Sequence, residues 1–169
     1  IGLSATVAEP RVLAAWLSPT ARAADIRLIA PGGTRTSEIA ILESQERTPW
    51  AGHMALYAMA EIYAAIEKAN TTLVFVNTRA QAELVFQELW RINEKNLAIA
   101  LHHGSLAVEQ RRKVEAAMAK GTLRAVVCTS SLDLGVDWGA VDLVIQVGAP
   151  KGASRLLQRI GRSNHRFDK

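Results

Sequence analysis

The chain has 169 residues, of which 49% are hydrophobic and 21% charged, and its formal net charge is +4. This profile is typical of one ordered globular domain and excludes a disordered chain. A single cysteine, Cys128, excludes an internal disulfide, and no Cys/His spacing resembles a zinc site, so we expect no metal site. No apolar run is long enough for a membrane span and no signal segment opens the chain, so we expect a soluble cytoplasmic protein without a membrane partner.

The elements predicted before residue 70 are short, apart from one helix that ends there. The letters IGLSAT indicate the end of a buried strand and a polar turn, and AEPRVLAAWL indicates a short helix. The stretches DIRLIAP and SEIAILES are rich in Ile and Leu and predict two strands around a Gly-Gly turn. An Ala-rich helix is predicted over residues 52–69. Because the chain begins at Ile1 within an apolar element, we expect it to be part of a longer protein.

After residue 70 the pattern becomes a regular alternation of strands and helices. The predicted strands are TTLVFV, LAIAL, RAVVCT and VDLVIQVG. The predicted helices are RAQAELVFQELWRINEK, AVEQRRKVEAAMAKG, ended by Gly121, and GASRLLQRIGR. Apolar strands that do not alternate, most of them followed by helices, predict an α/β fold with a parallel sheet covered on both faces. We expect Trp16 and Trp90, which fall on helix faces, to be core residues.

Polar residues follow these strands at the edge where open α/β sheets bind their ligands. They are Asn77, Thr78 and Arg79, then His102, His103 and Gly104, then Thr129, Ser130 and Ser131, and then Gly135 and Asp137. Small hydroxyls and backbone N–H groups near glycine suit phosphates. The alternative for the Ser, Thr and Asn residues is helix capping, and for the histidines it is packing or surface exposure.

The positive charge is concentrated at one end of the chain. Residues 151–169 carry a net charge of +5, so the first 150 residues carry −1. Four arginines, Arg155, Arg159, Arg162 and Arg166, share one face if this segment is helical. Like charges at that spacing repel each other unless an anion compensates them. The stripe is therefore either a solvated basic face or a site for phosphate or nucleic acid.

Five segments in order resemble motifs of superfamily 2 helicases. GLSAT resembles motif III, LVFVNTR motif IV, HHGSL the loop motif that follows, VVCTSSLDLGVDWGAVDLVIQVGAPKG motif V, and LLQRIGRSNHR motif VI. The last two are most similar to the long helicase-related (Lhr) group and, within it, to the ligase-associated DExH-box branch. The resemblance implies a motor of two RecA-like domains with ATP between them. Residues 21–169 would be the second RecA-like domain, and residues 1–20 the end of the first domain and a linker.

The resemblance also assigns the ATP site. Arg162 would be an arginine finger that reaches the γ-phosphate, and Arg159 and Arg166 would support the same phosphates or position that finger. Gln158 would hydrogen-bond nearby, Gly135 would let the backbone approach the nucleotide, and Asp137 would contact the ribose or orient the cleft. His165 stands where many members have a second arginine, which leaves the role of Arg166 open.

The chain lacks a G-x-x-x-x-G-K-[ST] loop and an acid box. ATP and Mg²⁺ would therefore be held largely by the missing first domain, with no nucleotide bound tightly to this chain alone.

The remaining motif residues would bind the nucleic acid or couple the two domains. Contacts to the backbone of a single strand are implied for Asn77, Thr78, Arg79, His103, Gly104, Thr129 and Ser130. Ser4 and Thr6 would link the nucleotide state to domain closure. The implied partners are single-stranded or tailed duplex DNA, the first RecA-like domain and, through the branch, a DNA ligase and a nuclease.

The expected function is therefore that of the C-terminal half of an ATP-dependent DNA helicase or translocase, inactive as an ATPase alone. Two alternatives remain open. The chain could be a stand-alone RecA-like module that binds nucleic acid without turnover, or half of an RNA helicase.

Overall fold

The computed structural model describes residues 9–17, 26–29, 38–47, 49–50, 54–133 and 140–161. The chain divides into two compact units, Ile1–Thr36 and Ser37–Lys169. In the first unit, helix α1 spans Pro10–Leu17. The second unit contains the sheet. None of the helices in the described ranges is long and apolar enough to cross a membrane.

Four parallel strands form one sheet in the order β2-β3-β1-β4. The strands are β1 (Thr72–Phe75), β2 (Ile99–His102), β3 (Ala125–Cys128) and β4 (Leu143–Gln146). The helices of this unit are α2 (Met59–Lys68), α3 (Arg79–Arg91), α4 (Val108–Ala119) and α5 (Ala153–Ile160). All four strands predicted after residue 70, and the helices around them, are confirmed.

The sheet is covered on both faces, as its apolar strands predict. The two central strands, β1 and β3, are buried along their whole length. On one face, side chains such as Val74 and Val127 pack in a cluster with α2 and α3. On the other face, Leu73 and Val126 pack in a cluster with Met118 of α4. Successive strand residues contribute to opposite clusters, which is the period of two expected for a strand.

Local signals set the start of α3 and the end of α4. Thr78 caps α3, because its Oγ1 accepts a hydrogen bond from the backbone N–H of Gln81 at 3.1 Å. Helix α4 stops before Gly121, whose φ of +66° is the left-handed conformation that glycine adopts without strain. The capping role, which was the alternative interpretation for the Ser, Thr and Asn residues of these loops, is therefore present at Thr78.

Two strand predictions in the earlier part of the chain are wrong. Neither residues 26–29 nor residues 38–44, the described parts of DIRLIAP and SEIAILES, form a strand. Their side chains are largely exposed, with Ile29 at 82% and Ile41 at 91%. Apolar composition alone cannot make a strand, because its backbone groups need a neighbouring strand as partner.

The core predictions for two tryptophans are also wrong. Trp16 is 75% exposed and Trp90 is 58% exposed. In α3 the buried side chains include Val85 and Leu89, and each helical residue is rotated by about 100° from the last. Trp90 therefore lies just outside the buried stripe, where its ring centroid is 5.9 Å from that of Phe86.

Candidate nucleotide and nucleic-acid interface

The carboxyl ends of the four strands lie at one level of the sheet. Phe75, the last residue of β1, pairs in register with Cys128 of β3 and Gln146 of β4, and Cys128 pairs with His102 of β2. The loops that follow the strands therefore start side by side. This register brings the predicted loop residues to one edge.

The loop after β1 presents exposed polar groups. Asn77 Nδ2 donates a hydrogen bond to the carbonyl oxygen of Ala149 at 2.9 Å, which ties this loop to the loop after β4. Gly148 permits the approach, because a Cβ at its position would lie 3.2 Å from Asn77 Nδ2 and its φ is +74°. Thr78 is exposed, and Arg79 opens α3 with a mostly exposed guanidinium 3.7 Å from a carboxylate oxygen of Glu83.

His102, the last residue of β2, is buried in a polar network. Its Nδ1 is 2.9 Å from Ser131 Oγ, and its Nε2 is 3.1 Å from Glu115 Oε1. Burial lowers the pKa of His102, and the hydrogen bond and charge of Glu115 oppose that shift. Ser131 Oγ also donates a hydrogen bond to the backbone carbonyl oxygen of His102 at 3.3 Å, so the ring, the hydroxyl and the Glu115 carboxylate form one connected network.

His103 is also buried, with 3% of its surface exposed. Its Nε2 lies 3.4 Å from Glu83 Oε1, and neither ring nitrogen has a hydrogen-bond partner in the described part of the chain. The following residue, Gly104, is exposed. At this loop the backbone of Gly104 is thus exposed, while the His103 ring packs inward.

The loop after β3 is anchored at several points. The Thr129 backbone N–H donates to the carbonyl oxygen of His102 at 3.3 Å, and a short 3₁₀ turn spans Ser130–Leu132. Leu132 is fully buried, whereas Ser130 is exposed. The turn thus presents the Ser130 hydroxyl at the surface, while the buried Leu132 side chain anchors the turn.

Arg159 of α5 is buried, with 1% of its surface exposed. Its Nε is 2.8 Å from Asp133 Oδ1, and its Nη1 donates to Gln146 Oε1 at 2.6 Å. The guanidinium carbon lies 4.5 Å from the ring centroid of Phe75. Arg155 also approaches Asp133, with Nε 3.3 Å from Oδ2. Arg155 and Arg159 therefore share the Asp133 carboxylate, whose negative charge reduces the repulsion that the sequence predicts between them.

Seven predicted nucleic-acid residues follow the strand ends at this edge: Asn77, Thr78, Arg79, His103, Gly104, Thr129 and Ser130. Gln158 is half-buried on α5. The other predicted site residues, Arg162, Arg166, Gly135, Asp137, Ser4 and Thr6, lie outside the described residues. Within the described ranges, no group of three His, Cys, Asp or Glu side chains could hold a metal ion.

Sequence reasoning missed Asp133 and Gln146 as partners of the arginine stripe. Asp133 lies in the segment that resembles motif V, but the sequence does not show that Arg159 is buried, and this burial is what makes an anionic partner necessary. Nothing in the local pattern indicates Gln146, since it contacts Arg159 only after β4 and α5 pack together.

Comparison with known proteins identifies the family. The family model described as the helicase conserved C-terminal domain matches residues 55–167. The Lhr helicase/probable uracil glycosylase of Mycolicibacterium smegmatis is 34% identical over 98% of this chain and 13% of its own length. The ATP-dependent helicase Lhr-Core of Methanocaldococcus jannaschii is 47% identical over 60% of this chain and 12% of its own length.

A solved structure gives the same result. The structure of Mycobacterium smegmatis helicase Lhr bound to ssDNA and AMP-PNP matches with a TM-score of 0.80 and 36% identity, over 99% of this chain and 22% of that one. The chain thus spans only a small part of its relatives. The resemblance to the Lhr group and the RecA-like fold class are confirmed. The chain belongs to the helicase conserved C-terminal domain family, as the C-terminal RecA-like domain of an Lhr-type superfamily 2 helicase.

Proposed function

We propose that this domain is the C-terminal half of an ATP-dependent DNA helicase or translocase, in which it supplies an arginine finger and part of a single-strand track. The observation that carries the proposal is the common level of the strand ends, which aligns the loops after β1, β2 and β3 along one edge. Exposed groups of Asn77, Thr78, Arg79, Gly104 and Ser130 follow those ends.

This edge suits a nucleic-acid backbone better than a base sequence. Its exposed groups are a cation, an amide, hydroxyls and glycine backbone, which contact phosphate and sugar without reading base edges. DNA is the preferred ligand by similarity to the ssDNA-bound Lhr structure. Half of an RNA helicase remains the alternative for the same edge.

The ATP side of the proposal concerns the other predicted residues. Arg162 acts as the finger on the γ-phosphate, and Arg159 and Arg166 support the same phosphates or position that finger. Gly135 lets the backbone approach the nucleotide, Asp137 contacts the ribose or orients the cleft, and Gln158 hydrogen-bonds nearby. ATP and its Mg²⁺ are held mainly by the first RecA-like domain, and residues 1–20 form the end of that domain and a linker. Ser4 and Thr6 couple nucleotide state to closure, which alternates the grip of the two domains on the strand.

The sequence similarity extends the proposal to the ligase-associated branch, with a DNA ligase and a nuclease as further partners. The segments GVDWG and APKGASRLLQRIGRSNHR support this branch. Co-purification of either enzyme with the full-length protein tests the extension separately from the motor itself.

The motor is tested by DNA-stimulated ATP hydrolysis in the full-length protein, wild type against Arg162→Ala, with ssDNA binding measured alongside. We expect hydrolysis to fall by about 10³-fold or more, because a finger typically contributes about 10³–10⁵ in rate, while DNA binding survives. Unchanged hydrolysis would instead make the stripe a backbone-binding or solvated face. Hydrolysis that only RNA stimulates would favour the RNA alternative, and an absence of turnover in the wild type would favour a binding module.

A further inference from the structure

A buried ion pair joins the loop after β3 to the last helix. Arg159 and Asp133 are 1% and 5% exposed, and besides the 2.8 Å contact at Nε the Nη2 of Arg159 lies 3.5 Å from Asp133 Oδ2. Both nitrogens thus face one carboxylate from the same side. A pair of this kind is rigid, because neither charge can leave the other without remaining uncompensated in the interior.

Gln146 fixes the third side of this guanidinium. Its amide nitrogen donates to the carbonyl oxygens of Val147 at 3.1 Å and Gly148 at 2.9 Å. The amide is therefore oriented by its own loop, and its Oε1 is left to accept the hydrogen bond from Arg159 Nη1. With the Phe75 ring against the guanidinium, the end of β4, the end of β1 and the β3 loop all hold one side chain.

This side chain lies between the two parts of the proposed site. Arg159 is in the last turn of α5, which ends at Ile160, and Arg162 follows Gly161 in the sequence. Asp133 follows the Ser130–Leu132 turn, which begins beside Thr129. Thr129, a proposed DNA contact, is thus only four positions before Asp133, whose carboxylate pairs with Arg159 of α5.

We propose that Asp133 and Gln146 are positioning residues that act through Arg159. They hold the end of α5 against the Thr129–Ser130 segment, so that DNA bound to that segment and the Arg162 finger shift together. This inference rests on the proposed function and adds the physical link between its two ligands.

Asp133→Asn in the full-length protein tests the link. The variant leaves Arg159 buried without its anion, which favours a shift of the α5 end. Because displacements of about 1 Å can cost about 100-fold in rate, we expect the kcat of ATP hydrolysis at saturating DNA to fall about tenfold or more. The KM for ATP and the Kd for ssDNA should stay within about twofold of wild type, since neither ligand loses a contact.

Arg155→Ala is the matched control. Arg155 contacts the same carboxylate from the same helix, but its side chain is 40% exposed and can remain solvated. Its loss should change kcat by less than about threefold, as for other exposed ion pairs. Gln146→Ala keeps the charge pair and removes the third contact, and it should lower kcat by an intermediate factor.

A double variant separates positioning from support of the fold. If Asp133 acts through the finger, Asp133→Asn should cause little further loss of kcat in the Arg162→Ala background, because residues that act as a unit are not additive. Fully additive losses of kcat in the double variant would reduce the pair to a structural role. The same conclusion would follow if the fraction of protein that binds DNA fell in parallel with kcat in both Asp133→Asn and Gln146→Ala. If Asp133→Asn alone is misfolded, Gln146→Ala decides by the same comparison.

The two proposals fail in different ways. Wild-type kcat in Asp133→Asn with a large loss in Arg162→Ala overturns the positioning role and leaves the motor intact. Wild-type kcat in Arg162→Ala overturns the arginine-finger part of the proposed function, and an absence of DNA-stimulated hydrolysis in the wild type overturns the motor.

Discussion

Exposure separates the roles of single arginines in this domain. Arg159 is surrounded by Asp133, Gln146 and Phe75 and has 1% of its surface in contact with solvent. The side chain of Arg79 is 62% exposed and has a loose contact with Glu83. An exposed guanidinium beside a helix start is available to a phosphate, whereas a buried one already has its anion.

Arg79→Ala should weaken ssDNA binding without dependence on base sequence. Removing one phosphate contact from a single strand lowers the slope of log K against log salt by about 0.7, and we expect a loss of affinity of about three- to tenfold at moderate salt. The measurement is a fluorescence anisotropy titration at several salt concentrations with two unrelated oligonucleotides. Arg91→Ala is the control, because Arg91 is an exposed arginine at the opposite end of the same helix, paired with Glu88. Equal losses in the two variants would contradict a site at the strand ends.

His102 should make stability depend on pH. Burial lowers its pKa in the folded protein, so the unfolded chain takes up a proton at a higher pH than the folded chain. Stability from this residue is present at neutral pH, falls as the pH decreases through the usual histidine pKa of about 6.5, and levels off below the folded pKa.

Urea unfolding at pH 7.5 and pH 5.5 measures this effect. The decrease in the free energy of unfolding should be smaller in His102→Asn than in wild type, even though the variant is less stable at pH 7.5. The difference between the two proteins removes the contribution of the other titrating groups. The same decrease in both proteins would show that His102 is not responsible.

At the scale of elements, the pattern of apolar residues predicts a helix or strand well where one of its faces, or all of it, is buried. β1 and β3 read as continuous apolar runs and are buried on both faces. The segments DIRLIAP and SEIAILES have similar composition, but their described residues lack strand partners and leave Ile29, Ile39 and Ile41 exposed. Pairing is a tertiary property, and short apolar runs do not reveal it.

The start of α3 depends on a reciprocal pair of hydrogen bonds. Thr78 Oγ1 accepts from the Gln81 N–H, and Gln81 Oε1 accepts from the Asn77 N–H at 3.1 Å. We expect Thr78→Ala to lower the free energy of unfolding by about 1 kcal/mol, the usual cost of losing a helix cap. Thr78→Ser keeps the hydroxyl and should retain most of the stability. Urea unfolding of the three proteins checks this, and equal destabilisation by Ala and Ser would exclude the cap.

At the scale of the whole molecule, strand order decides what meets at the site. Chain order would place β1 beside β2, but the sheet places β3 between them. The loops after β1 and β2 therefore flank the loop after β3, which carries Thr129 and Ser130. The proposed single-strand track depends on this order together with the common register of the strand ends.

The 169-residue chain alone should not hydrolyse ATP, with or without ssDNA. It has neither the phosphate loop that cradles ATP nor the acid box that holds the metal and orients water. Phosphate release with MgATP measures this, with the full-length protein as positive control. Steady turnover by the chain that Arg162→Ala abolishes would mean that a complete site is present here.

The sequence by itself determined the class of the sheet, the order of its strands and helices along the chain, and the family. Those properties follow from local runs of residue types and from motif spacing, both of which can be observed in the linear sequence. Only the tertiary structure decided the strand order, the exposure of Trp16 and Trp90, and the burial of Arg159 against Asp133. The members of that ion pair are 26 residues apart, and the stripe that contains Arg159 looks solvated when read alone. Their pairing depends on the packing of α5 against the sheet. This packing removes solvent from the Arg159 guanidinium, and a buried charge needs a partner of opposite sign.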